Sequence, residues 1–143
     1  MNLADRIKEA LGDAVLEVDQ PLASRFFVYV PAEKVVPAVR AMCESLGARF
    51  ATITGLESRG GFELLYHFSL DSEGALVTLK TKVPPPFPEI DSIAPMLTGA
   101  LWIERELRDM LGISFRGHPD MRRILLSDDW PEGVPPLRRK YTL

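Results

Sequence analysis

The sequence has one cysteine, Cys43, and two histidines, His67 and His118, in 143 residues. A single thiol excludes an internal disulfide framework, a cysteine-ligated zinc site and an iron–sulfur cluster held by this chain alone. No metal-ligand spacing joins the two histidines. There is no G-x-x-x-x-G-K-[ST] loop and no G-x-G-x-x-G turn, so the usual phosphate cradles are missing. Arg59-Gly60-Gly61 reads as a hairpin corner instead. No apolar run approaches membrane-spanning length. The stretch MNLADRIKEALGDAV has no apolar core of signal-peptide length, which makes the cytoplasm the expected compartment. Membrane association would then run through a partner. Excess charge is missing too. A formal net charge of −3 argues against a general nucleic-acid binder.

What is present is an ordinary globular composition, 46% hydrophobic and 26% charged, in a chain long enough for one domain with a sizeable core. Asn2 is a helix cap for LADRIKEAL, and Gly12 stops that helix. VLEV (15–18) and RFFVYV (25–30) read as short strands separated by a turn at Asp19-Gln20-Pro21. Pro31 opens a second helix, whose stripe includes Val35, Val39, Met42 and Cys43 and which ends at Gly47. Cys43 therefore reads as a core residue rather than a reactive thiol. Three strands follow at 49–57, 62–70 and 75–83. In the middle one Phe62, Leu64, Tyr66, Phe68 and Leu70 share one face, and Glu63, Leu65, His67 and Ser69 the other. After the rigid connector PPPFP (84–88), a long helix is expected from Asp91 or Ser92 to Gly112. Its stripe would run through Ile93, Met96, Leu97, Ala100, Leu101, Leu107, Met110 and Leu111.

The element order is α-β-β-α-β-β-β-α followed by an extended irregular tail. Hairpin-connected strands with amphipathic helices point to an α+β fold with the helices packed on one face of the sheet. No internal repeat or linker divides the chain. Residues 1–112 form the core domain, and residues 113–143 form an extended segment of the same domain.

That segment carries FRGHPDMRRILLSDDWPEGVPPLRRKY. It has the apolar Ile124, Leu125, Leu126, Trp130 and Leu137, which a disordered tail would not need. Something must cover them. Just before it, Glu104-Arg105-Glu106-Leu107-Arg108-Asp109 offers two i,i+4 ion pairs, Glu104–Arg108 and Arg105–Asp109. Arg122, Arg123, Arg138 and Arg139 are available to cross-link back to those carboxylates, a task suited to the planar guanidinium. His118, followed by Pro119, reads as fixing its loop. It has no serine or cysteine nucleophile in a recognisable motif beside it, so a small enzyme using His118 with Asp120 or Glu104 is disfavoured. Asp128-Asp129 lacks the spaced partners of a cation site. An anchor tryptophan, arginines and prolines on an irregular segment make the parts of an interface.

The run from Glu104 to Arg138 resembles the C-type, or 30-kilodalton, subunit family of respiratory complex I. The matching positions are Glu104-Arg105-Glu106, Asp109, Gly112-Ile113, Phe115, Gly117-His118-Pro119-Asp120, Arg122-Arg123-Ile124-Leu125, Trp130 and Pro136-Leu137-Arg138. Tyr66-His67 and the upstream order of elements extend the resemblance over nearly the whole chain. The resemblance implies a two-layer α/β domain with a mixed sheet. It implies a non-catalytic subunit of the peripheral arm of proton-translocating NADH:quinone oxidoreductase, on the cytoplasmic face of the inner membrane. The expected partners are the quinone-site D-type subunit, which resembles a nickel–iron hydrogenase large subunit, and other peripheral-arm subunits. NADH, FMN, iron–sulfur clusters and quinone would belong to the parent complex, with no cofactor, metal or catalytic residue on this chain. The expected contact residues are Glu104, Arg105, Glu106, Asp109, Phe115, His118, Pro119, Asp120, Arg122, Arg123, Trp130, Pro136, Leu137 and Arg138. Short subunits of membrane-bound energy-converting hydrogenases and formate hydrogenlyases share the pattern and form the alternative.

Overall fold

The computed structural model describes residues 1–139. The last four residues of the expected docking segment, 140–143, lie outside the described residues. Helix α1 (Leu3–Leu11) starts where the sequence places it. The Asn2 side chain accepts the Asp5 N–H at 2.8 Å, which satisfies one of the orphan donors of the first turn. Ile7 and Leu11 are its buried residues.

Strands β1 (Glu17–Leu22) and β2 (Arg25–Tyr29) form an antiparallel pair. The expected turn at Asp19-Gln20-Pro21 is instead part of β1, and the chain reverses at Ala23-Ser24. Pro21 is tolerated because β1 is an edge strand, and the register shifts between Asp19 and Leu22. Helix α2 (Val35–Glu44) follows a 3₁₀ turn at 32–34, so Pro31 lies one turn ahead of the α-helix rather than at its first position. Pro37 falls in the first turn of α2, where a missing N–H breaks no bond.

Strands β3 (Arg49–Ser58), β4 (Gly61–Leu70) and β5 (Ala75–Val83) form a meander. The sheet order is β1-β2-β5-β4-β3, with β2 and β5 parallel and the other pairs antiparallel. The sheet is therefore mixed, as expected. On β4 the five residues Phe62, Leu64, Tyr66, Phe68 and Leu70 are all buried, while the alternate residues are half-buried. On the open face His67 hydrogen-bonds Thr54 of β3 at 2.8 Å and Thr78 of β5 at 3.0 Å, tying three strands together. Each fully buried large side chain of the core, such as Phe68 or Met42, contributes about 1.5–3 kcal/mol.

The expected long helix is half as long as the pattern suggests. Helix α3 runs from Leu101 to Leu111, and a 3₁₀ turn at 98–100 precedes it. Upstream lies a short strand, β6 (Glu89–Asp91), and downstream another, β7 (Ser114–Arg116), paired in parallel. The apolar positions of 93–97 keep helical spacing, but tertiary contacts claim the backbone there. The Ser92 N–H donates to the Arg116 carbonyl at 2.8 Å, and Leu97 is extended at φ −131° and ψ 105°. The segment after Leu111 thus begins with a strand before it becomes irregular.

Candidate docking surface

The charged run of α3 does something other than pair with itself. Among the described residues neither Glu104–Arg108 nor Arg105–Asp109 forms an ion pair. Asp109 is buried, and its Oδ2 accepts three successive backbone N–H groups, from Ile124 at 3.0 Å, Leu125 at 2.8 Å and Leu126 at 3.1 Å. Burial opposes the charge, but the three N–H donors and nearby Arg123 outweigh it and hold the carboxyl below its usual range. One turn earlier, Arg105 donates to the Arg122 carbonyl at 2.8 Å and to the Arg123 carbonyl at 3.0 Å. The i,i+4 spacing that would have joined Arg105 to Asp109 instead lets both hold one turn of the irregular segment. An arginine takes the carbonyls, and an aspartate takes the amides.

The end of α3 is closed by the same segment. Arg138 donates through Nε to the Leu111 carbonyl at 2.7 Å, and the Leu137 N–H donates to the Met110 carbonyl at 2.9 Å. These carbonyls are among the orphan acceptors of a helix C-terminus. The Arg138 guanidinium also lies 5.0 Å from the Phe62 ring centroid. Gly112 takes a left-handed φ of 76°. A Cβ there would meet Arg138 and Pro135 at 2.8 Å, so only glycine lets the segment approach.

Glu104 is fully buried. It accepts the Ser92 hydroxyl and, at 2.9 Å, the Ile93 N–H. Burial pushes its carboxyl above the usual range, against these bonds and His118 at 3.9 Å. His118 is bonded at both nitrogens, with Nε2 2.9 Å from the Leu101 carbonyl and Nδ1 accepting the Asp120 N–H at 2.9 Å. With Nδ1 accepting, Nε2 is the nitrogen that faces the Leu101 carbonyl as donor. The histidine fixes the loop and offers no free nitrogen for proton transfer. Asp120 pairs with Arg122 at 2.7 Å, and that guanidinium holds its carboxyl well below the ordinary range. Trp130 donates through its indole N–H to the Val134 carbonyl at 2.6 Å.

Two expectations are corrected. The arginines do not cross-link to the helix carboxylates: Arg105 and Arg138 bind carbonyl oxygens, Arg122 pairs with Asp120, and Arg123 binds the Ser127 carbonyl and Glu132. And the segment, whose apolar residues were expected to need a cover, is fastened and partly covered by its own chain. Of its apolar residues, Ile124, Leu126 and Trp130 are half-buried on this chain.

The expected contact residues therefore divide. Glu104, Asp109 and Phe115 are buried, and the His118 side chain is shielded, so these four face inward. Arg105, Glu106, Asp120, Arg123, Trp130, Pro136 and Arg138 are half-buried, whereas Pro119, Arg122 and Leu137 are exposed. Two exposed apolar residues had no place in that reading, Trp102 at 71% and Phe87 at 88%, and Leu125, already marked as needing cover, is 56% exposed. Trp102 lies off the apolar stripe of its helix, and that misplaced bulk was the available signal. Ser92 gave no signal, because only the turn across α3 brings it to Glu104.

Among the described residues no group of three or more potential ligands is placed to hold a metal ion, and no helix is long and apolar enough to cross a membrane. Asp109 of α3 faces inward and, with Arg105, holds the strap, while Trp102 of the same helix and Leu125 and Leu137 of the strap stand outward. Fold and surface together define a mixed-sheet α+β domain with a C-terminal strap fastened by its own chain. The chain belongs to the family described as respiratory-chain NADH dehydrogenase, 30 Kd subunit, which it matches over residues 28–143. It is 35% identical to the C-type subunit of the NADH-quinone oxidoreductase of Geobacter sulfurreducens, across 96% of this chain and 86% of that protein. It is 30% identical to formate hydrogenlyase subunit 5 of Escherichia coli K12, across 93% of this chain but 24% of that longer protein. A chain from the solved structure of the membrane-bound sulfane sulfur reductase, an archaeal respiratory membrane complex, superposes with a TM-score of 0.88. It shares 25% identity over 99% of this chain and 84% of its own.

Proposed function

We propose that this chain is a non-catalytic structural subunit of the peripheral arm of a proton-translocating NADH:quinone oxidoreductase. It packs against the quinone-site, D-type subunit through the strap and the outer side of α3. NADH, FMN, iron–sulfur clusters and quinone are handled by other subunits, and the chain reaches the cytoplasmic face of the membrane through them. The observation that carries the reading is the strap itself. In a chain matching the family over residues 28–143, it is rigidly fastened, yet it holds Leu125 and Leu137 outward. A surface with this many fixed polar bonds loses little conformational entropy on docking.

The second reading is the equivalent subunit of an energy-converting hydrogenase or formate hydrogenlyase, favoured by the similarity to formate hydrogenlyase subunit 5. Affinity purification of the tagged chain from native membranes separates the two. Co-purification with NADH-oxidising subunits and a D-type subunit supports the first. A nickel–iron hydrogenase-type assembly without NADH-oxidising subunits supports the second. Recovery of the chain alone refutes both.

A further inference from the structure

The strap ends beside a cleft whose Arg59 and Arg139 take no part in the contacts described above. It lies between the β3–β4 hairpin corner and the proline-rich connector, where Arg59, Arg138 and Arg139 converge and Glu57 is the only carboxylate in the lining among the described residues. Three guanidiniums against one carboxylate leave two positive charges, on a chain whose formal charge is −3. Among the described residues none of these arginines has a carboxylate partner within salt-bridge distance. Arg138 binds a carbonyl and a ring face, and Glu57 accepts the Arg139 main-chain N–H at 2.6 Å. Arg59 and Arg139 are exposed. Pro85 and Pro86 form the opposite wall. The residues next to these walls in the chain, Phe87 and Leu137, are exposed apolar side chains, at 88% and 64%.

We propose that this cleft receives an acidic, apolar-bearing segment of a partner protein. Its carboxylates would pair with Arg59 and Arg139, and its apolar side chains would cover Phe87 and Leu137. Charge complementarity selects an anionic occupant, and the exposed anchors require an apolar one. A membrane surface offers both, but it is planar, whereas the arginines line a concave groove between two walls. A polypeptide fits that shape. A second copy docked about a two-fold axis at this corner would bring the same basic groups together and be repelled. The proposal rests on the assembly reading above, and it adds a contact away from the inner face of the strap.

The test uses the native assembly, with a photo-crosslinking amino acid placed at Arg59. The expected product joins this chain to a segment of a different subunit that contains aspartate or glutamate beside apolar residues. The double variant Arg59→Glu, Arg139→Glu, at two exposed positions, should weaken association about tenfold at low salt, with the difference shrinking at high salt. Cross-links to lipid only, to a second copy, to a segment without carboxylates or to nothing would each overturn the proposal. If the chain co-purifies with no complex at all, the assembly reading has failed. If it co-purifies normally while position 59 meets no acidic segment, this inference alone has failed.

Discussion

Asp109 accepts the amide N–H of Leu125 at 2.8 Å, and the same oxygen takes the amides on either side of Leu125. One core carboxylate thereby holds one turn of an otherwise irregular segment. Charge-assisted bonds of this kind are worth more than neutral ones. Asp109→Ala should cost about 2–3 kcal/mol and Asp109→Asn about 1–2 kcal/mol in urea unfolding. The amides of 124–126 should exchange faster in both variants while β4 and β5 keep their protection. Unchanged exchange at those amides would show that the strap is held some other way.

The two buried carboxylates of α3 should titrate with opposite signs. Asp109 lies below its unfolded value of about 3.9, so its contribution is present above that pH and disappears as pH falls toward the folded value. Glu104 lies above its unfolded value of about 4.3, so the unfolded chain ionises first and stability falls as pH rises through that window. Glu104→Gln should therefore gain on the native protein as pH rises above about 4.3 and level off beyond the folded value. Thermal melts across pH 4–8 would check it, and parallel profiles for the two proteins would refute the raised value.

Gly112→Ala places a Cβ at a left-handed φ of 76° and within 2.8 Å of Arg138 and Pro135. The conformation alone costs about 1–2 kcal/mol. The clash should also loosen the Arg138–Leu111 bond, seen as faster exchange at the Leu137 amide, which bonds Met110. A cost without that local change would mean that the strap adjusts and the backbone bears all of the strain.

Trp102 is 71% exposed on α3. Trp102→Ala should leave folding stability within about 0.5 kcal/mol of the native value. Under the docking reading it should weaken association with the partner subunit about tenfold or more, as truncating a central anchor does. Loss of stability with intact association would assign the ring a structural role instead.

Much of this protein is legible in its sequence, and the parts that are not share a cause. The alternation Phe62-Leu64-Tyr66-Phe68-Leu70 marked β4 correctly because a strand turns its side chains over at every residue. Asn2 and Gly12 bounded α1 because capping is a short-range bond. Helical spacing continued through 93–97, yet the chain there is a turn. The decision lay with the Arg116 carbonyl and the Glu104 carboxylate, which are distant in sequence. The resemblance marked the α3–strap region, but could not say which of its polar residues face inward.

By itself, then, the sequence determined the two amphipathic helices and five strands of the first 83 residues, the α+β class, the family and the position of the strap, because these follow from local periodicity, capping and motif. Only the tertiary structure decided the strand order, the short α3 and the use of Arg105 and Asp109 as a clamp on the strap rather than as a helix ion pair. A backbone turn brought across α3 offers its carbonyls and amides in the geometry those two side chains need. A solvated pair on a helix face is worth only about 0.3–0.5 kcal/mol, too little to compete with those bonds.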